Sequence, residues 1–146
     1  MQIFAILSSA AVASAAVMAK RDIIFKVSDF SAGCVAHSTQ CLYYFNVTQP
    51  GSPGAPDVPV TCKALVTANN DGTLPDVDDG TCLESARTWT ALHADAGITL
   101  ALSQQVSPAS YETGSHLLAS NEFTISNETN AKVQSYTGPT AFDLVD

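Results

Sequence analysis

The sequence predicts an all-β fold: a compact, single-domain antiparallel β-barrel, sandwich-like in its layering and stapled by disulfides. Three observations carry that prediction. Beyond residue 22, apolar and polar side chains alternate with a period of two in a series of short runs, the pattern of half-buried strands. Clusters of Gly, Pro, Asn and Asp separate those runs, as tight connections between strands require. No convincing amphipathic helix, internal repeat or interdomain linker interrupts them. Many short strands at such spacing build a sandwich or a barrel, and residues 22–146 suit one domain of the usual size, about 100–150 residues.

Residues 1–19, MQIFAILSSAAVASAAVMA, carry no charge and hold 15 apolar positions of 19. The run is too short and too Ala-rich for a membrane span, which takes about 20 residues. Small residues follow its apolar core, so it reads as a secretory signal peptide cut after Ala15 or Ala19. Lys20-Arg21 then supplies a dibasic pair for further trimming, leaving a barrel domain over 22–146.

From Ile23 onward Phe25, Val27 and Asp29 alternate with Lys26, Ser28 and Phe30, which predicts the first strand. The segment 41–48, CLYYFNVT, is rich in aromatic and β-branched residues and predicts the second. PGSPGAPD at 50–57 is a loop that no helix crosses. Val58, Val60, Cys62, Ala64 and Val66 share one face of a third strand. NNDGTLPDVDDG at 69–80 reads as an acidic, turn-forming stretch. Strands at 87–93 and 98–106 flank a hairpin turn at 94–97 in which Gly97 supplies a positive φ. Further strands are expected at 115–126 and 131–136, with a turn at 126–130, and 140–145 closes the sheet.

Composition excludes some functions. Six Lys and Arg against 14 Asp and Glu give a net charge of −8, which argues against nucleic-acid recognition, because that needs clustered cations. Charged residues are 14% and apolar residues 46%, so the chain is not disordered by composition. No second long apolar run offers a stable membrane anchor.

Cys34, Cys41, Cys62 and Cys82 allow three pairings. Cys34 and Cys41 bracket the turn between the first two strands, and Cys82 ends the acidic stretch that leaves the strand of Cys62. Neighbour pairing, Cys34–Cys41 and Cys62–Cys82, therefore needs no long-range threading, and no free thiol remains. Cys34-x-x-His37-x-x-x-Cys41 holds three zinc-type ligands, but a structural zinc site offers a second paired cluster, and exported chains favour disulfides.

The sequence shows no catalytic or cofactor fingerprint: no nucleophile elbow, zinc-protease helix, phosphate loop or dinucleotide motif. His37, His93 and His116 are scattered and read as loop or strand-edge histidines. Asp76, Asp78, Asp79 and Gly80 miss the calcium-loop spacing, because Arg87 stands where the closing Glu belongs. Glu84, Glu112 and Glu122 are too separated to read as a glycosidase pair. Neither a cofactor nor a metal is expected, and no enzyme. Asn46-Val-Thr48 and Asn127-Glu-Thr129 are glycosylation sequons.

Three runs, Ile24-Phe-Lys-Val-Ser-Asp-Phe30, Tyr43-Tyr-Phe-Asn-Val47 and Val60-Thr-Cys-Lys-Ala64, together with 97–107, GITLALSQQVS, resemble the Alternaria major allergen family. Those small secreted fungal proteins include elicitors of the plant hypersensitive response. The resemblance spans roughly 23–145 and implies a highly curved β-barrel with a core disulfide equivalent to Cys62–Cys82. It also implies a secreted, extracellular, non-enzymatic elicitor or effector that induces cell death and defence, with a plant surface or apoplastic protein as partner. Binding of a small phenolic ligand or a plant defence protein is the alternative, and a hydrolase with an unrecognised site is a weaker one. This chain has no Cys before its first strand and none after Cys82. It therefore lacks the family's dimer-forming Cys and late disulfide pair, and a monomer or weak non-covalent dimer is expected. Recognition is expected on exposed loops: the 50–57 loop, with Asp57, and the acidic stretch, with Asp71, Asp76, Asp78 and Asp79.

Overall fold

A computed structural model describes residues 22–50, 58–128 and 131–146. The expected signal peptide and dibasic pair, residues 51–57 with Asp57, and residues 129–130 lie outside the described residues. Ten strands follow one another: β1 (Ile23–Cys34), β2 (Gln40–Thr48), β3 (Val60–Thr67), β4 (Val77–Cys82), β5 (Thr88–Ala94), β6 (Gly97–Ser107), β7 (Ser110–Ala119), β8 (Phe123–Glu128), β9 (Ala131–Tyr136) and β10 (Phe142–Val145). A 3₁₀ turn at Ser120–Glu122 separates β7 from β8.

Strands β1 to β7 meander, each antiparallel to the next. β10 then inserts between β7 and β1 and closes an eight-stranded antiparallel barrel. The long β1 serves two neighbours on its outer side: residues 23–27 pair with β10, and Gly33 pairs with Ser135 of β9. The β8–β9 hairpin therefore stands beside the ring, attached along the second half of β1.

Alternation sets the interior. Val27, Phe25, Tyr43, Phe45, Val47, Trp89, Ala91, Ile98, Leu100 and Leu102 point inward and are buried. Their rings form a connected series: Tyr43 to Trp89 (5.8 Å), Trp89 to Phe45 (5.2 Å), Phe45 to Phe30 (6.0 Å), then Phe30 to Tyr136 (4.9 Å) and to Phe142 (5.4 Å). Offset and edge-on pairs of this kind add to the burial of apolar area.

Three sequence expectations are corrected. Asp29 does not share a face with Phe25 and Val27. A register shift between Ser28 and Ser31, with Asp29 at φ 53°, inserts a bulge that exposes Asp29 and turns Phe30 and Ala32 inward. The acidic stretch is not one turn to residue 80, because Val77–Cys82 is β4, paired with β3 and β5. The run 115–126 is not one strand: β7 begins at Ser110, and the 3₁₀ turn breaks the run before β8.

The hairpin at 94–97 forms as expected. Gly97 takes φ 151°, and a Cβ there would collide with the Leu118 carbonyl. Cys34 pairs with Cys41 across the β1–β2 hairpin, and Cys62 pairs with Cys82 across β3 and β4. No cysteine is free. Two disulfides belong to an oxidising environment. Among the described residues no helix is long and apolar enough to cross a membrane.

Candidate recognition surface

One rim of the barrel is built by the connections 35–39, 68–76 and 94–97 and by the β8–β9 hairpin. The 68–76 segment folds over this rim instead of projecting from it. Gly72, at φ 79°, lies so close to β9 that a Cβ would overlap the Lys132 carbonyl. The Gln134 amide donates to Gly72 O (3.2 Å), and the Leu74 amide donates to Gln134 Oε1 (2.9 Å). Leu74 is thereby fully buried as a plug, and Tyr43 Oη donates to Pro75 O (2.9 Å) beneath it. Burial, with Asp76 nearby, pushes the Tyr43 phenol well above its ordinary value, so it remains a donor.

The four described acidic candidates divide into two pairs. Asp71 accepts from the Thr73 amide (3.2 Å) and hydroxyl (2.5 Å), which holds its carboxyl below the usual range. Asp76 accepts from the His93 amide (2.9 Å) and from the His93 ring at Nδ1, and the side-chain bond is the larger cause of its lowered value. These two carboxylates anchor the cap to itself and to β5. All four are exposed, but Asp78 and Asp79 stand at the bulge of β4, where the register shifts between Val77 and Gly80, and make no side-chain hydrogen bond among the described residues. They are the two free to meet a partner.

Beside the cap, an open cleft of about 580 Å³ runs between the 37–39 turn, the 67–72 segment and β9, lined by His37, Asn69, Asp71 and Lys132 among others. His93 lies at a separate small cleft with Ser120 and Phe123, and His116 at a third. The three histidines do not converge. His93 continues the inward parity of Trp89 and Ala91 but lies past the rim and is exposed. Cys34 and Cys41 are consumed in their disulfide, so His37 keeps neither sulfur as a zinc-type ligand. Among the described residues no group of three His, Cys, Asp or Glu is placed to hold a metal.

His116 is neither a loop nor an edge residue: it sits within β7, half-buried, stacked on Phe142 at 4.2 Å between centroids. Burial lowers its proton affinity below the ordinary value of 6.5, against the pull of Glu122 and Asp143, which raise it. The unfolded chain therefore binds the proton more tightly than the folded one. Stability from this residue is full above the unfolded value and is lost as pH falls through about 6.5 toward the folded value. Urea midpoints should consequently drop more for the wild type than for His116→Gln between about pH 8 and about pH 5. Equal drops would contradict this.

The opposite rim holds a polar cluster that sequence reading missed. Arg87 Nε donates to Gln104 Oε1 (2.9 Å) with its guanidinium 5.4 Å from the Phe25 centroid, and Gln49 Nε2 donates to Glu112 Oε2 (2.7 Å). The signal was available as parity: Arg87 is in step with Trp89, Gln104 with Leu102, and Glu112 with Gly114.

The fold and its surface define a disulfide-stapled β-barrel whose interior is packed and whose polar groups gather at the two rims. Comparison of the chain with family models, with characterised proteins and with solved structures found no match.

Proposed function

We propose that the chain is a secreted, non-catalytic recognition protein that plant tissue perceives as an elicitor of hypersensitive-type cell death, acting through its outer surface. The observation that carries this reading is the filled interior: Trp89, Tyr43, Phe45 and Phe30 occupy the barrel, which leaves outward positions for contact with a partner. The uncharged leader at 1–19 and the disulfides support export. The resemblance to the Alternaria allergen family supports the elicitor role.

The exposed pair Asp78 and Asp79 gives the contact surface its sign, and a net charge of −8 steers a basic partner toward it. Asp78→Asn/Asp79→Asn should fold normally by circular dichroism. It should raise the dose needed for leaf cell death about tenfold, through slower charge-steered encounter. An unchanged dose-response would remove these residues from the surface.

A second reading, binding of a small phenolic ligand, is favoured by the 580 Å³ cleft, where His37 and Lys132 supply polar contacts. Trp89 is buried and does not line that cleft, so its fluorescence is a poor reporter. Calorimetric titration with a simple phenol, on wild type and on Lys132→Ala, separates this reading from the first.

A further inference from the structure

We propose that Asn127 carries an N-linked glycan that shields β8, the free edge of the sheet, and that Asn46 stays unmodified. The proposal rests on the export half of the reading above.

The first observation is topological. Each strand of the closed ring has a neighbour on both sides, whereas β8 pairs with β9 alone among the described residues. The outward N–H and C=O groups of such an edge are a template for another strand. The guards on this edge are sparse: β8 reads FTISNE, with neither Pro nor Lys and a single charged residue at its end, and Ile125 is 45% exposed. The second observation is chemical. The sequon Asn127-Glu-Thr129 begins on this same strand. Asn127 is exposed, opposite Lys132 of β9, and its amide makes no side-chain hydrogen bond among the described residues.

Asn46 is a different environment. It is half-buried between two paired strands, opposite Ser28 of β1 and Thr61 of β3. Its Nδ2 donates to Asp29 Oδ2 (3.2 Å), and its Oδ1 accepts from Thr61 Oγ1 (2.8 Å). A bulky sugar on that nitrogen would displace Asp29 from its place at the β1 bulge.

The modification takes an oligosaccharide carried on a lipid diphosphate as co-reactant. Asn127 Nδ2 forms a bond to the anomeric carbon, the anomeric C–O bond to the diphosphate breaks, the lipid diphosphate leaves, and Nδ2 loses one proton to a transferase base. Without the glycan, β8 fits the β8 of a second copy, antiparallel about a two-fold axis. With Ile125 opposite its own copy, Thr124 faces Ser126 and Phe123 faces Asn127, and Glu128 falls opposite Glu122 at each end of the pair. A glycan on Asn127 occupies that register and blocks it.

The test expresses the full chain in a eukaryotic secretory host and maps glycopeptides from the medium. Expected are sugar on Asn127 and none on Asn46, a monomer by light scattering, and loss of the glycan in Asn127→Gln but no change in Asn46→Gln. Asn127→Gln should double in mass at micromolar concentration, and Ile125→Lys in that background should restore the monomer. A bare Asn127 or a modified Asn46 in secreted protein overturns the proposal while leaving export standing, as does a glycan-free chain that stays monomeric or a dimer that Ile125→Lys leaves intact. A chain held in the cell without sugar overturns both.

Discussion

Trp89→Ala is expected to lower the unfolding free energy by about 3–5 kcal/mol, a large share of the roughly 5–15 kcal/mol that holds a domain together. The indole is almost wholly buried, sits 5.2 Å from the Phe45 ring and 5.8 Å from the Tyr43 ring, and donates from Nε1 to Thr81 O at 2.9 Å. Across the β4–β5 pair, Gly80 faces Trp89, and a Cβ on Gly80 would lie within the indole. Deletion therefore opens a cavity that the rigid ring of strands cannot collapse into, and it leaves the Thr81 carbonyl without that donor. Trp89→Phe should retain the ring contacts and lose the hydrogen bond, giving an intermediate cost. Denaturant unfolding followed by far-ultraviolet circular dichroism measures both, and a cost under about 1 kcal/mol for Trp89→Ala would mean that the barrel centre is not packed as described.

The second large effect is at the β3–β4 seam. Here the ladder is short, with Cys62 opposite Cys82 and Lys63 opposite Thr81. By contrast β2 and β3 pair continuously from Gln40 opposite Thr67 to Val47 opposite Val60. The Cys62–Cys82 bridge, with a sequence separation of 20, thus joins strands that few ladder bonds hold. The Cys34–Cys41 bridge, separation 7, reinforces a hairpin already paired from Lys26 to Cys34. Loop-closure entropy alone gives about 3 kcal/mol for the first bridge and about 2 for the second. Loss of buried sulfur costs both variants and costs the first more, since Cys62 and Cys82 are both core residues, whereas of the other pair Cys41 is core and Cys34 only partly buried. Cys62→Ala/Cys82→Ala should therefore unfold at clearly lower denaturant than Cys34→Ala/Cys41→Ala, with hydrogen exchange rising first in β4. The reverse order would show that the β3–β4 pair does not depend on its bridge more than the β1–β2 hairpin does.

Much of this barrel was legible from residue order, for a local reason. Strands such as 41–48, with Tyr43, Phe45 and Val47 inward, keep strict alternation, and period two reports burial directly. Legibility failed where a bulge or a tertiary contact overrode the local pattern. Asp29 looked inward until the bulge added a residue. In the acidic stretch the Pro, Gly and Asp residues signal a turn, but Leu74 is the informative residue: an apolar side chain among polar ones, buried by contacts from β9 that lie about 60 residues further along the chain. Pairing with β3 and β5 then makes β4 a strand although Asp78, Asp79 and Gly80 are poor strand formers. Among the acidic candidates Asp71 is tied down locally, by Thr73 two residues on, whereas the placing of Asp76, Asp78 and Asp79 depends on distant contacts. Asp76 meets His93 from 17 residues away, which no spacing rule anticipates.

The reading of a folded surface as the active element has one direct measurement: infiltration of purified, oxidised protein into leaf tissue beside the same protein reduced and alkylated at Cys34, Cys41, Cys62 and Cys82. Alkylation keeps every noncysteine side chain and destroys the cross-links across the β3–β4 pair and the β1–β2 hairpin. The oxidised protein should cause cell death at a dose at which the alkylated chain causes none. Equal activity of the two would place the signal in a linear segment and contradict recognition of the folded barrel.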